Sequence, residues 1–334
     1  MIETATTTAG LSRSELESQT EQHRVELTAY AYRMLGSTFE AEDAVQETMI
    51  RAWKNLENFE GRSSLRSWLY RITTNVCLDM LNGSQRRAQP MDLGPAQSAD
   101  TPLPEPLPEV TWLEPIPDAR AIPSGADPSE RAELRESIRL AFVATLQHLP
   151  PRQRAVLILR EVLRWKATEV AELLETTVQS VNSSLQSVNS SLQRARAALA
   201  STDVNSIESP EEMDQEHQNL LARYVDAFER YDMDSLTSLL HEDATWSMPP
   251  YDLWLQTHLD IRKFCLGTGI GCKGSRLVPT TANGSPAFGQ YKADGTPWAL
   301  QVLELSHGQV TGICFFLDTP RFFPLFGLPL TLEA

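Results

Sequence analysis

The sequence predicts a multidomain protein with two all-helical domains followed by a C-terminal α+β domain. Apolar residues recur at helical spacing in the first 90 residues and again in residues 128–200, and a proline-rich acidic segment separates the two blocks. After Ala244 the pattern changes to short strands that are separated by turn dipeptides such as Asp294-Gly295. Helices first and paired strands afterwards are typical of an α+β domain.

Changes in composition set the predicted domain boundaries. Residues 90–126 contain nine prolines and six acidic residues, with Arg120 as the only base. Such a segment cannot bury enough apolar surface to fold alone, so we expect an extended tether. The predicted organisation is a disordered N-terminus at 1–19, a helical domain at 20–89, a linker at 90–127, a second helical domain at 128–200, a polar joint at 201–213 and the α+β domain with its tail at 214–334.

The charge distribution keeps nucleic-acid binding open although the formal net charge is −15. Residues 151–200 carry seven basic and four acidic residues, and residues 60–90 carry five basic and two acidic residues. Residues 203–334 carry 18 acidic and eight basic residues, so the acidity is concentrated in the last domain. The two modestly basic segments are therefore the candidate phosphate contacts.

The four cysteines are scattered and form no CxxC pair, so we expect neither a disulfide framework nor a zinc site, and no other metal or cofactor. No segment resembles a signal peptide, and no apolar run approaches the roughly 18–20 residues of a membrane helix. These observations favour a cytoplasmic protein that does not contact membranes.

The first block is predicted to contain two long helices. Ser37 and Glu40 have the spacing of a capping box, and the run AEDAVQETMIRAW follows them at helical period. The segment LRSWLYRITTNVCLDML is a second candidate helix of about four turns. Its apolar positions are Leu65, Leu69, Ile72, Val76 and Leu78.

The second block ends in a predicted helix-turn-helix. Ala167–Leu174 forms the first helix, Glu175 to Thr177 form the turn, and the second helix begins near Val178. Thr176 with Gln179 three residues later is a second capping-box pattern. The second helix is rich in Gln, Ser and Asn, which suits a groove-reading helix because these side chains bond base edges and phosphates. The alternative is a polar surface helix. Glu175 also stands where such turns usually favour a small residue.

The heptapeptide QSVNSSL occurs twice in tandem, at Gln179–Leu185 and Gln186–Leu192. Because seven residues make nearly two helical turns, the apolar stripe continues through both copies, and the duplication lengthens the helix by about 10 Å. Either the turn fixes the first copy in the groove and displaces the following arginines, which we favour, or the second copy keeps its register with them. The third possibility is a neutral duplication.

Together these segments resemble the extracytoplasmic-function (ECF) group of sigma-70 RNA polymerase sigma factors. The first segment on which this resemblance is based is AYRMLGSTFEAEDAVQETMIRAWKNLENFEGRSSLRSWLYRITTNVCLDMLN. The second comprises LQHLPPRQRAVLILREVLRWKATEVAELL and SSLQRARAAL. The resemblance covers about 20–90 and 130–200 and implies binding to core RNA polymerase and promoter DNA without catalysis, because the polymerase performs the chemistry.

The resemblance also implies residue roles. The face that docks on the clamp coiled coil of core polymerase comprises Asp43, Gln46, Glu47 and Arg51. The −10 element is contacted by Trp68, Arg71, Asn75, Arg86 and Arg87, together with the loop Phe59–Ser64. The −35 element is contacted by Lys166, Thr176, Thr177, Gln179, Ser180, Asn182, Ser183, Gln186, Arg194 and Arg196. For Trp68, core packing is an equal alternative to DNA contact. The linker threads toward the polymerase active site and RNA exit path, or it is a solvated spacer.

Residues 214–320 resemble a SnoaL-like cone of the nuclear-transport-factor type, which implies a curved antiparallel sheet around a candidate small-molecule pocket. The predicted lining residues are Trp246, Met248, Tyr251, Trp254, Trp298, Gln301 and Glu304. Glu304 would be a general base if it were buried. The alternative is a filled core without chemistry. The tail FFPLFGLP either docks the cone onto the DNA-binding part or closes its open end.

The preferred function is a sigma factor whose fused SnoaL-like domain modulates its activity. One alternative is a helix-turn-helix regulator that never engages polymerase, fused to a ligand-binding SnoaL-like domain. The other makes the last domain an enzyme that the remaining chain targets.

Overall fold

The computed structural model describes residues 13–55, 59, 63–187 and 210–333. The chain forms two compact units, and each unit combines segments that are distant in sequence. One unit joins residues 1–87 to 118–196, and the other joins residues 88–117 to 197–334. Residues 1–12 of the predicted disordered N-terminus, residues 60–62 of the Phe59–Ser64 loop and residues 201–209 of the polar joint lie outside the described residues. The rest of the predicted disordered N-terminus, residues 13–19, is instead part of a helix, Arg13–Gln22.

The described helices are numbered along the chain, and three short helical turns of other types accompany them among the described residues. The helices are α1 (Arg13–Gln22), α2 (Arg24–Leu35), α3 (Thr38–Lys54), α4 (Leu65–Leu81), α5 (Pro90–Leu93), α6 (Asp118–Ala121), α7 (Pro128–Ile138), α8 (Leu140–Gln147), α9 (Pro151–Leu157), α10 (Ala167–Leu173), α11 (Val178–Ser187), α12 (Pro210–Glu229), α13 (Met233–Ser238), α14 (His258–Leu266) and α15 (Thr319–Leu325). The other turns are Glu109–Thr111, Ile158–Val162 and Thr268–Cys272.

Helix α3 begins as the sequence predicts, because the Ser37 hydroxyl accepts a hydrogen bond from the Glu40 backbone N–H at 3.1 Å. This bond satisfies one of the backbone donors that the first helical turn leaves free. Ser64 caps α4 in the same way through the Ser67 N–H. The two caps fix the starts of the two helices that carry most candidate residues of the first block.

The two helical blocks pack together in one unit, whereas the sequence predicts separate domains. Arg33 on α2 is fully buried and donates through Nε to the Ser137 carbonyl oxygen at 3.1 Å. Arg154 on α9 is buried and donates to the Met34 carbonyl oxygen and to Gln147 Oε1. Long-range contacts of this kind have no local pattern in sequence, which explains why the association was not predicted.

Aromatic packing extends this association. The Tyr70 ring of α4 lies 5.0 Å from the Trp165 ring, measured between centroids, and 5.2 Å from the Tyr30 ring. The Arg66 guanidinium lies over both the Tyr70 ring and the Trp165 ring. Trp165, two residues before the start of α10, therefore packs against α4.

The helix-turn-helix is present, with one correction to its turn. Glu175 adopts a positive φ of 51°, a left-handed conformation that glycine tolerates best. The turn is therefore strained at the position where the sequence has glutamate instead of the usual small residue. The capping residue is Thr177 rather than Thr176, because Thr177 Oγ1 accepts from the Ser180 N–H at 3.1 Å. Helix α11 begins at Val178, where the sequence places it.

The second unit is built on a six-stranded sheet in the order β2-β1-β6-β5-β4-β3. Its strands are β1 (Leu240–Ser247), β2 (Trp254–Gln256), β3 (Arg276–Ala282), β4 (Ser285–Tyr291), β5 (Pro297–Ser306) and β6 (Gln309–Phe316). The pairs along β3 to β6 are antiparallel as predicted, but β1 pairs with β6 in parallel. Helices α12, α13 and α14 pack on one face of the sheet around buried residues such as Tyr224, Leu236 and Phe264.

The predicted free tether is instead folded onto the second unit along residues 88–117. Trp112, Leu113 and Ile116 are buried, and the Ile116 N–H donates to Asn283 Oδ1 at 3.0 Å. These apolar residues lie at the end of the proline-rich segment, and their burial stabilises a segment whose average composition indicates no fold. The structure also moves the linker boundary, because residues 118–127 belong to the helical unit.

The C-terminal tail packs on its own sheet. The Phe323 ring is fully buried and lies 5.2 Å from the Tyr291 ring, and the Tyr291 hydroxyl donates to the Pro329 carbonyl oxygen at 2.7 Å. A Cβ at Gly289 would lie 2.7 Å from a methyl carbon of Leu328, so the Leu328 side chain packs closely against the backbone of β4. The tail is thus a structural part of the second unit.

Candidate nucleic-acid interface

The outer face of α3 combines polar and apolar side chains. Asp43 and Gln46 are exposed, and Glu47 is ion-paired with Arg51 at 2.7 Å. Ile50 is 39% exposed and Trp53 is 52% exposed on the same helix. Two exposed large apolar residues one turn apart are typical of a protein-binding surface rather than of a solvated helix.

The sequence reasoning missed Ile50 and Trp53, because helical periodicity alone assigns apolar residues to the core. Both line a surface cleft of about 440 Å³ with Gln46 and Met49 of the same helix and with Arg24 of α2. The cleft therefore places an apolar floor beside the predicted polar docking residues.

A second cleft of about 330 Å³ lies where α3 and α4 meet. Its lining residues are Arg51, Asn55, Trp68, Ile72 and Asn75. The half-buried Trp68 ring also lies 5.0 Å from the Phe59 ring. An indole face, two amide side chains and a guanidinium are the groups that hold an unstacked base beside its phosphate.

Two of the predicted −10 residues, Trp68 and Asn75, therefore lie in one cleft, whereas the three arginines are elsewhere. Arg71 donates to the Glu172 carbonyl oxygen at 3.2 Å, and Arg86 is hydrogen-bonded to His148. Arg87 requires a correction, because it is 6% exposed and its Nη2 lies 2.9 Å from Glu40 Oε1. A buried, paired guanidinium is not available to a DNA phosphate in this conformation.

Helix α11 presents a polar outer face. Val181 is fully buried and Leu185 is half-buried, which anchors the helix through one apolar stripe. The exposed predicted reading residues are Gln179, Ser180, Asn182, Ser183 and Gln186. They present amide and hydroxyl groups in a pattern that fits base edges in a major groove.

The other predicted −35 residues divide into three cases. Lys166 and Thr177 are exposed at the starts of α10 and α11, and Thr176 is half-buried. Arg194 and Arg196 lie outside the described residues, as does the second heptapeptide copy from Val188 onward. The effect of the duplication on the arginines thus stays a prediction.

The second unit holds an apolar cavity of about 150 Å³. Three predicted lining residues, Trp246, Met248 and Trp298, line it. The other four predicted residues, Tyr251, Trp254, Gln301 and Glu304, are not among its lining residues. Gln301 and Glu304 are three positions apart on β5, and alternation along a strand directs such residues to opposite faces.

Gln301 is fully buried and belongs to a hydrogen-bond chain beneath the cavity. The Tyr224 hydroxyl donates to Gln301 Oε1 at 2.8 Å, Gln301 Nε2 donates to Gln290 Oε1 at 2.9 Å, and Gln290 Nε2 donates to Ser275 Oγ at 3.0 Å. Burial raises the pKa of the Tyr224 hydroxyl well above its usual value, which keeps it a neutral donor. Gln290 also lines the cavity, and the sequence reasoning missed it.

Within the described ranges, no group of three His, Cys, Asp or Glu side chains is arranged to hold a metal ion. Across the same residues, none of the helices has the length and apolar character of a membrane span.

Comparisons with known proteins agree with this arrangement. The family model "Sigma-70 region 2" matches residues 20–87, and "Sigma-70, region 4" matches residues 139–199. The chain is 47% identical over 328 residues to the ECF RNA polymerase sigma factor SigG of Mycobacterium tuberculosis, which covers 96% of this chain and 85% of the relative. It is 29% identical over 230 residues to the ECF RNA polymerase sigma factor SigJ of the same species, which covers 69% of this chain and 64% of the relative.

The crystal structure of Mycobacterium tuberculosis SigJ is similar over the whole chain. It superposes with a TM-score of 0.56 at 23% sequence identity and covers 96% of this chain and 100% of that one. The likeness shows that the helical unit and the sheet unit occur together in a solved fold.

Proposed function

This chain belongs to the ECF group of sigma-70 RNA polymerase sigma factors, and from this premise we propose which of its surfaces perform each part of promoter recognition. The observation that carries the assignment is 47% identity to an ECF sigma factor over 96% of the chain. The protein binds core RNA polymerase and promoter DNA and directs transcription initiation, while the polymerase performs the chemistry. We also propose that it acts in the cytoplasm, where the polymerase works.

The outer face of α3 is the proposed polymerase-docking surface. Its exposed Ile50 and Trp53 provide apolar area, and Asp43 and Gln46 provide polar groups beside them. Interfaces usually derive most of their binding free energy from a few large apolar or aromatic residues, surrounded by polar groups that fix orientation. The combination fits a stable protein partner.

We expect Asp43→Arg to weaken binding to core polymerase about tenfold or more, because a charge of the wrong sign at an interface lowers the association rate and affinity. Binding is measured with the full chain by fluorescence anisotropy, and run-off transcription is measured in parallel. Glu133→Arg is the matched control, since Glu133 is exposed on α7 and undergoes the same charge change. Equal affinities of the two variants and the unmodified protein would exclude this face.

The cleft between α3 and α4 is the proposed site for an unstacked base of the −10 element. Trp68 supplies a stacking surface, Asn55 and Asn75 supply hydrogen-bonding amides, and Arg51 supplies a cation. Arg51 was predicted to contact polymerase, but its place in this cleft favours a role beside DNA.

We expect Trp68→Ala to lower open-complex formation about five- to 100-fold, because base stacking on an aromatic side chain contributes about 1–3 kcal/mol. Permanganate reactivity of thymines in the −10 element measures the melted fraction. Trp68→Phe, which keeps a ring, should retain most of the activity. If Trp68→Ala melts the promoter normally, or if Trp68→Phe is as defective as Trp68→Ala while both fold, the cleft is not the base site.

Helix α11 is the proposed −35 reader, and its first heptapeptide copy supplies the reading residues. This copy directly follows the Thr177 cap, so its side chains are held at a fixed distance from the turn. The five exposed Gln, Ser and Asn residues of its outer face then meet the base edges.

Promoter binding requires the compact helical unit to open. The −35 and −10 elements are named after their positions, which lie 25 base pairs apart. At about 3.4 Å per base pair, this separation is roughly 85 Å. A compact unit of about 160 residues has a radius of gyration of about 15 Å. A single unit of this size cannot touch both elements while Trp165 and Tyr70, and Arg71 and Glu172, remain in contact.

The SnoaL-like second unit is the proposed regulator of this opening, because it holds the linker. Residues 88–117 connect the two halves of the helical unit and fold on the sheet unit. About 30 residues reach at most roughly 100 Å when fully extended, so the linker spans 85 Å only if nearly all of it is free. A cone that binds the linker therefore favours the closed helical unit.

A further inference from the structure

The cavity of the sheet unit contains polar groups that the fold itself does not use. We propose that this cavity binds a small aromatic carboxylate, and that linker residues 94–107 form the lid over it. The ligand site stands on the geometry of the sheet unit alone and does not depend on sigma activity. Its effect on transcription would follow from the proposed hold on the linker.

The cavity walls are mainly apolar and aromatic. Phe228, Met233, Phe264 and Phe315 line it together with Trp246, whose ring is stacked on Phe315 at 4.2 Å. An apolar cavity of about 150 Å³ accommodates one benzene-sized ring. The size and lining therefore fit a single aromatic ring rather than a steroid or a long acyl chain.

Trp246 supplies a free hydrogen-bond donor. Its side chain is 5% exposed, and among the described residues its buried indole N–H has no hydrogen-bond partner. A buried N–H without a partner costs about 1–3 kcal/mol, so an acceptor on a bound ligand would recover that cost. Gln290 does not offer a comparable group, because both ends of its amide are already bonded.

Lys292 sets the sign of the ligand's charge. It lines the cavity, and its ammonium lies 4.3 Å from the centre of the Trp298 ring. No Asp, Glu or His is among the described lining residues. Asp294 lies outside the lining, two positions further along the chain, and hydrogen bonds from Thr296, together with a smaller contribution from the Lys292 charge, lower the pKa of its carboxyl. Burial raises the pKa of the Cys265 thiol to about 12, so this neighbouring group is neutral near pH 7. Lys292 is thus the one charged residue among the described lining residues, which favours an anionic ligand.

The described lining provides no carboxylate for acid–base catalysis, because Glu304 is not part of it. A donor and a cation in an apolar cavity are suited to binding. The cavity is accordingly assigned as a sensor site.

The lid is the middle of the linker. Leu103 lines the cavity, and Ala99 is buried in the same apolar core. On either side, the Gln97 N–H donates to the Trp254 carbonyl oxygen and the Leu107 N–H donates to the Pro250 carbonyl oxygen, both at 2.9 Å. The segment between these two anchors contributes few side chains to the core, so it can lift while the sheet stays folded.

Binding to the full chain is tested with three probes, benzoate, toluene and acetate, by equilibrium dialysis at neutral pH. We expect benzoate to bind with a Kd below about 1 mM, toluene to bind at least tenfold more weakly, and acetate not to bind. Failure of benzoate to bind would overturn the proposal. Equal affinities for benzoate and toluene would also overturn it, because the N–H and the cation would then contribute nothing.

Two variants test the polar groups. Trp246→Phe keeps the ring and removes the donor, and Lys292→Met keeps the length and removes the charge. Each should lower benzoate affinity about tenfold and leave toluene affinity unchanged. Lys273→Met is the matched control, because Lys273 is exposed and does not line the cavity. Equal losses for benzoate and toluene would indicate a packing defect and contradict the assigned roles.

Leu103→Ser tests the lid. We expect it to increase the benzoate dissociation rate several-fold in stopped-flow measurements, because the side chain that covers the ring is shortened. Val110→Ser, at a 57% exposed linker residue outside the cavity lining, should leave the rate unchanged. Bound benzoate should also slow amide exchange at Gln97 and Leu107. Unchanged rates in Leu103→Ser would contradict the lid.

Discussion

We expect run-off transcription to fall at least tenfold when the helical unit is locked closed by a cross-link between Arg86→Cys and His148→Cys. The two native side chains are exposed and hydrogen-bonded at 2.7 Å, so a short bismaleimide can bridge cysteines at these positions. The physical reason is reach, because the roughly 85 Å between the two promoter elements exceeds the size of the closed unit.

A bismaleimide that contains a disulfide makes the experiment reversible. Reductant should restore transcription in the cross-linked double variant, which separates the lock from any effect of losing Arg86 itself. Each variant that carries only one of the two substitutions, treated in the same way, should transcribe equally before and after reductant. Full activity of the cross-linked protein would show that the unit need not open.

We expect Arg154→Met to destabilise the helical unit by about 3–5 kcal/mol. Arg154 is 3% exposed and donates to the backbone carbonyl oxygens of Met34, Gln147 and Leu149. Methionine fills a similar volume but leaves these acceptors buried without a donor, and each such loss costs about 1–3 kcal/mol. Removing the buried positive charge of Arg154 also removes its desolvation cost, but this gain offsets only part of the free energy lost with the hydrogen bonds.

Native-state hydrogen exchange of the α2 amides measures the opening free energy directly. Arg120→Met is the matched control, because Arg120 is 55% exposed and its ion pair with Glu42 should contribute less than about 1 kcal/mol. A change below about 1 kcal/mol in Arg154→Met would contradict the role of the buried Arg154 hydrogen bonds in joining the two helical blocks.

The buried arginines Arg33 and Arg154, which join the two helical blocks, also have a property that suits a unit that must open. Burial lowers the pKa of both Arg33 and Arg154 to about 10, because their charges are removed from water and the described hydrogen bonds go to carbonyl, amide and hydroxyl oxygens rather than to carboxylates. Opening the unit returns both guanidinium groups to solvent and recovers their hydration free energy. The closed state is therefore held by many hydrogen bonds whose loss is partly compensated.

Several features could be predicted from local sequence because their causes are local. The Ser37 cap, the start of α11 at Val178 and the strained position at Glu175 each depend on residues within one helical turn. The exposed reading face of α11 also follows from its period, because Val181 and Leu185 fall on one side.

Other features of the candidate sites could not be predicted, since a long side chain has the same local pattern on a surface and in an interface. The sequence predicts that Arg71 and Arg87 contact DNA. In the structure, Arg87 is buried against Glu40, and Arg71 contacts Glu172, about 100 residues away. Ile50 and Trp53 are exposed, and their local sequence pattern does not single them out as surface residues.

The sequence by itself determined the two helical blocks, the helix-turn-helix, the sheet domain and the sigma-factor family, because periodicity, turn residues and carrier motifs are encoded over a few residues. Only the tertiary structure decided that the helical blocks form one unit, that the linker lies on the sheet unit and that Leu103 covers a cavity with an unused Trp246 donor. The hydrogen bonds that accompany these contacts join residues 62 to 167 positions apart, and which of many apolar or basic residues meet there depends on packing of the whole chain.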